Sequence, residues 1–147
     1  MRLALTLCTV LALTACVAPG PNEAPQAIRT FRGNLVVPDP AIPGQFEVFV
    51  RAGDSGSDLW CAASEFAERE LRVPVNRRIY LVTPRGLSQT RPGLRSAIFT
   101  VSPEVALLDA ARDLPDSLSM DVTRPGRNFL PLHGRIACRP ILDLPFE

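Results

Sequence analysis

Lysine is missing from this chain: all 16 basic residues are arginine. That bias fits a GC-rich genome, because arginine codons are GC-rich. Histidine, tryptophan and tyrosine occur once each, at His133, Trp60 and Tyr80. A lone histidine with no nucleophile or metal partner at a suggestive spacing removes the usual base of acid–base catalysis. No CxxC pair occurs, so the spacing of thioredoxin-like redox chemistry is absent. The formal net charge is +1. A near-neutral chain has no electrostatic case for binding nucleic acid.

Long apolar runs are also scarce. Leu3–Leu13 follows Arg2, carries no charge and is too short to span a bilayer as a helix. It leads into Leu13-Thr14-Ala15-Cys16. That ending resembles the lipobox of bacterial lipoprotein precursors. The resemblance covers only the leader. It implies cleavage before Cys16, acylation of that cysteine (palmitate among the chains) and a lipid-anchored, periplasm-facing address in the cell envelope. An ordinary secretory leader would instead be cut near Ala18. Val17 follows the cysteine where an Asp would retain an enterobacterial lipoprotein at the inner membrane, which favours the outer membrane. Acyl chains contribute about 0.8 kcal/mol per buried methylene, so a multiply acylated Cys16 holds stably to a membrane. No polybasic tract beside Cys16 adds to that anchor.

With residues 1–15 removed as a signal peptide, Cys8 leaves too, and 15 Arg face 15 Asp and Glu. Cys61 and Cys138 are then the cysteines left after lipidation. In an oxidising compartment two such residues pair. One His and two Cys cannot make a closed zinc site, so no metal and no cofactor is expected.

Residues 16–28 are rich in Pro, Gly and small residues and read as a flexible tether. Residues 29–147 read as one globular domain. Phe31–Val37, Gln45–Val50, Arg78–Thr83, Ser96–Ser102, Ser117–Thr123 and Leu132–Cys138 read as strands. Their alternation or β-branched content carries that assignment. Leu118, Met120 and Val122 are expected inward. Pro84–Arg95 is expected to be a long polar connection and Ile141–Glu147 a docked tail. Leu59–Arg72 is the convincing helix, with Asp58 as its N-cap and Glu65–Arg69 and Glu68–Arg72 as i,i+4 pairs. Glu104–Ala111 is either a short helix or an apolar loop. The sum is an α+β fold: a small, mostly antiparallel sheet of five or six strands with one main helix packed on it.

Gly53-Asp54-Ser55-Gly56 resembles the sequence around the nucleophile of chymotrypsin-like serine proteases. The match breaks at Ser57, and His133 lies downstream of the serine rather than upstream. A polar loop entering a helix is the better reading. Glu65, Glu68 and Glu70 read as a solvated helix face. His133 reads as a surface or strand-edge residue. Arg77, Arg78, Arg85, Arg91 and Arg95 cluster in sequence and form a candidate surface for a small anionic ligand, using the guanidinium fork. Tyr80 and Trp60 join that candidate surface as the amphipathic aromatics. Trp60 is also expected to pack over the disulfide.

Asp58-Leu59-Trp60-Cys61-Ala62-Ala63, followed by Arg78-Ile79-Tyr80, resembles a pattern in small envelope proteins of alphaproteobacteria. That likeness implies an envelope address and no activity. The expected function is therefore a non-catalytic, lipid-anchored binding domain. The alternative is a structural or assembly accessory that contacts another envelope protein.

Overall fold

The computed structural model describes residues 26–138. The leader 1–15, Cys16, residues 17–25 of the tether and the tail Ile141–Glu147 lie outside the described residues. Among the described residues the fold is α+β, with one open antiparallel sheet of six strands and three helices. In chain order the elements are β1 (Ile28–Arg29), β2 (Leu35–Pro38), β3 (Gln45–Phe49), α1 (Gly56–Arg69), β4 (Ile79–Leu87), β5 (Arg95–Thr100), α2 (Val105–Arg112), β6 (Asn128–Phe129) and α3 (Pro131–Ala137). The sheet order is β1-β2-β3-β5-β4-β6. Ile28, assigned above to the tether, already pairs with Val36 in the sheet.

Helix α1 starts one turn earlier than the sequence reading has it. Ser55 is the N-cap, and Asp58 is the third helical residue of a capping box rather than the cap. The Ser55 hydroxyl accepts from the Asp58 amide at 3.4 Å, and the Asp58 carboxylate accepts from the Ser55 amide at 2.8 Å. Two free amides at the helix start are thereby satisfied. The polar Gly53–Ser57 segment therefore builds a helix start. The helix also ends earlier, at Arg69. Arg72 takes a left-handed φ of +51°, and the Val73 amide turns back to the Ala67 carbonyl. That exit separates Glu68 from Arg72. Glu68 instead pairs with Arg135 of α3 at 3.1 Å, whereas Glu65–Arg69 forms as expected at 2.6 Å.

The core lies between α1 and the sheet face carrying Val36, Phe46, Val48, Ala97, Phe99 and Leu81. Register explains the alignment: Val36 faces Val48, Val48 faces Ala97, and Phe46 and Leu81 both face Phe99. Trp60 is fully buried at its centre, edge-on to Phe99 and Phe129 with centroids 4.9 Å away in each case. Its indole N–H donates to the Asp121 carbonyl at 3.2 Å, so the one polar atom of the ring is satisfied.

Three sequence assignments are corrected. Phe31–Val37 is no single strand, because Gly33 (φ +87°) turns the chain and leaves Phe31 exposed between β1 and β2. Ser117–Thr123 forms no strand of the sheet. Val122 is buried there and Leu118 faces solvent. Leu132–Cys138 is helical, running from the second residue of α3 to its C-cap: Pro131 opens the helix, where its fixed φ and missing N–H suit a helix start. Gly134 lies against α1 so closely that a Cβ would collide with Ser64 Oγ and the Trp60 carbonyl. Cys61 and Cys138 are joined at disulfide distance, with Cα atoms 5.0 Å apart, and the bond staples α1 to α3. Closing a loop of 77 residues constrains the unfolded chain by about 4–5 kcal/mol in the chain-entropy account.

The opposite sheet face carries Val37, Glu47, Phe49, Ser96, Ile98 and Thr100, all buried. Pro84–Arg95 covers part of it. This stretch is shorter as a loop than expected, because β4 continues through two irregular pairings to Leu87. The loop folds back so that Arg91 stacks over the Phe49 ring at 5.2 Å. Glu47 is 4% exposed and accepts from the Thr90 and Ser96 hydroxyls. Burial alone would raise its pKa. Hydrogen bonds from Ser96, Thr90 and Ser88 and from the Gln89 backbone outweigh that and hold it below 4.5.

A depressed folded-state pKa makes the Glu47 contribution fully present above the unfolded value. It is then lost as pH falls through the folded value, in the window below about pH 4.5. Urea unfolding should show Glu47→Gln less stable than the native chain by about 1–3 kcal/mol at pH 7. The gap should close toward pH 3; parallel pH profiles would contradict the assigned role.

Candidate functional site: a basic cleft between β4, β6, α2 and α3

The cleft is built by a pairing between residues fifty positions apart. Ile79 pairs with Phe129 and Tyr80 with Asn128, so short strand β6 docks on the outer edge of β4. The ladder continues past β6: the Leu81 amide donates to the Arg127 carbonyl and the Gly126 amide to the Leu81 carbonyl. Ile79 and Phe129 point into the core. Arg78 turns the other way, and its guanidinium donates to the Asn128 side-chain carbonyl at 2.7 Å. The Asn128 amide donates in turn to the Gly126 carbonyl at 2.8 Å.

Helix α2 forms the facing wall. It rests on the Pro125-Gly126 turn, where a Cβ on Gly126 would lie 2.7 Å from the Ala111 amide nitrogen. Gly126 also has φ +85°, a conformation that L side chains resist. Glycine is thus required here twice, by backbone angle and by the close approach of the helix.

Two adjoining cavities share Arg78. One, of about 350 Å³, is lined by Arg78, Arg127, Asn128, Ser117, Leu118 and His133, among others. Asp116 also lines it and brings one negative charge. The other, of about 620 Å³, holds Asn76, Arg77, Arg78, Tyr80 and Ser102, with Leu108 from α2. Arg127 is 8% exposed. It pairs with Asp121 at 3.3 Å, and its Nε is buried with no hydrogen-bond partner among the described residues. Burial raises the Asp121 pKa. Bonds from the Thr123 hydroxyl and amide, together with Arg127 and Arg124, outweigh it and leave the group below its ordinary value. Among the described residues, neither Arg77 nor Arg78 has a carboxylate within ion-pair distance.

Of the candidate-surface residues named in sequence, Arg77, Arg78 and Tyr80 meet in this cleft, and Trp60, Arg85, Arg91 and Arg95 do not. Trp60 is buried in the core and presents no surface. Arg85 donates to the Asp54 carbonyl at 2.7 Å, beside the start of α1. Arg91 stacks on Phe49, and Arg95 opens β5 opposite Leu87. Arg127 and Asn128 were missed because their partners lie far away in sequence and two-residue β6 has no period to read. His133 belongs to the first turn of α3 rather than a strand edge. It is half-buried, edge-on to Phe129 at 6.1 Å, and its Nδ1 is buried without a partner among the described residues.

The arrangement is suited to holding an oxyanion. Guanidinium groups offer several donors in a fixed fork, and bonds to ionised oxygens are short and strong. Ser117 and His133 line the same cavity, but no hydrogen bond joins them, so no nucleophile–base pair is assembled. No protein-family model matches the chain, and no curated protein or solved structure matches it either.

Gly126→Ala should cost at least about 1–3 kcal/mol, from overpacking against α2 and strain at positive φ. Thermal or urea unfolding checks this, and stability equal to the native chain would contradict the seating of α2 on the turn.

Proposed function

We propose that this chain is a lipid-anchored envelope protein whose folded domain binds a small anionic ligand non-catalytically in the Arg77–Arg78–Arg127–His133 cleft. The leader and the lipobox-like Leu13-Thr14-Ala15-Cys16 support the anchor. The Cys61–Cys138 pair is compatible with an oxidising compartment. No helix among the described residues is long and apolar enough to cross a membrane.

The observation that carries the binding reading is Arg77 and Arg78, a pair of arginines that line a cavity and have no carboxylate partner among the described residues. Surface arginines on a chain of balanced charge commonly find acidic neighbours, and four do so elsewhere among the described residues: Arg32, Arg69, Arg112 and Arg135. Arg78 is instead held by the neutral Asn128 side chain, which orients its fork without neutralising it. The ligand class is a phosphate or carboxylate small enough for a cavity of a few hundred Å³.

Calorimetric titration with inorganic phosphate tests the reading. Arg78→Gln keeps a polar side chain without the charged fork and should weaken binding at least tenfold, the scale of a lost bond to a charged group. Arg95→Gln, away from the cleft, should leave affinity unchanged. Equal effects of the two substitutions, or no phosphate binding by the native chain, would overturn it.

A further inference from the structure

We infer that the anion this cleft takes is a phosphate headgroup at a lipid surface, so that the cleft end of the domain docks on an anionic membrane. The inference rests on the anion-binding reading above and goes further by naming what carries the anion. Four aliphatic side chains around the cleft face solvent: Val75 at 83% exposure, Val105 at 73%, Leu118 at 93% and Leu132 at 62%. Val75 sits between Pro74 and Asn76 of the larger cavity, Leu118 lines the smaller one, and Leu132 adjoins His133. Val105 lies one helical turn before Leu108 on α2. A pocket for a soluble anion has no use for such a rim. A surface that inserts aliphatic groups among acyl chains, while arginines meet phosphates, requires both.

The placement of the N-terminal segment agrees. Pairing of Ile28 with Val36 sets Gln26 level with Pro38, at the end of the sheet where β4 begins, on the edge strand away from β6. Nine residues lie between Cys16 and Gln26, and covalent geometry limits the ten steps to about 35 Å. An acylated Cys16 would therefore keep this end of the domain near the bilayer. A single acyl chain gives marginal attachment, and a second contact strengthens it.

The test uses the full chain carrying Cys16→Ser, so that no acyl group contributes and the leader acts equally in every sample. Sedimentation with vesicles of phosphatidylcholine and phosphatidylglycerol (7:3), and of phosphatidylcholine alone, gives the partition. The rim variant Val75→Ser/Val105→Ser/Leu132→Ser changes only side chains that are mostly exposed and that line neither cavity, and circular dichroism checks its fold. The matched control Phe31→Ser/Leu87→Ser removes exposed apolar groups at the opposite end of the sheet. The rim variant should lose tenfold or more of its partition to anionic vesicles and keep its affinity for inorganic phosphate, while the control keeps both. Unchanged partition of the rim variant, with phosphate binding intact, overturns the membrane inference and leaves a site for a free anion. A native chain that binds no phosphate removes the site itself, and the inference with it.

Discussion

Helix α1 lies on the sheet through a fully buried Trp60, and the rest of the structure depends on that contact. The indole touches Phe99 of the central strand β5 and Phe129 of the edge strand β6, so it fixes the sheet's middle and margin relative to one helix. Its N–H reaches the Asp121 carbonyl and draws in the chain that leads to Arg127. One residue later, Cys61 ties the same helix turn to the end of α3. The Gly134 contact with the Trp60 carbonyl lets α3 approach closely enough for that bond to close.

The cleft follows from these constraints. Strand β6 has two residues and would be marginal as an isolated edge. It stays in place because Phe129 is packed under Trp60 and because α3, directly after it, is stapled to α1. Arg127, Asn128 and His133 are carried on this held segment. Arg78 and Tyr80 come from the β4 strand beside it. Packing energy in the core is in this way converted into placement of charge at the rim. The orphaned Arg127 Nε and His133 Nδ1 are polar atoms whose burial is uncompensated by any described partner, a cost that sites tolerate more readily than cores do.

Local signals in the sequence carried the fold class and the main helix. The alternation in Gln45–Phe49 and the helical spacing of Leu59, Ala63 and Phe66 are patterns that one element imposes on its own residues. Failures came where the deciding partner is distant. Leu132, Gly134 and Ile136 alternate like a strand, yet Pro131 and the close approach to α1 make a helix of them. The arginines grouped at 77–95 look like one patch in sequence. The β4–β5 hairpin sends Arg91 and Arg95 to the far end of the sheet, while Arg77 and Arg78 stay at the near end, where Arg78 meets Arg127. No period encodes that meeting, because it arises from the Ile79–Phe129 pairing.

The central claim is that this cleft, rather than arginine content at large, makes the domain an anion binder. Amide NMR shifts during an inorganic phosphate titration test it most directly. The account predicts saturable shifts confined to Arg77, Arg78, Arg127, Asn128 and His133 and their immediate neighbours. Shifts spread evenly over the remaining arginine-bearing segments, or centred on Arg91 and Arg95, would contradict it.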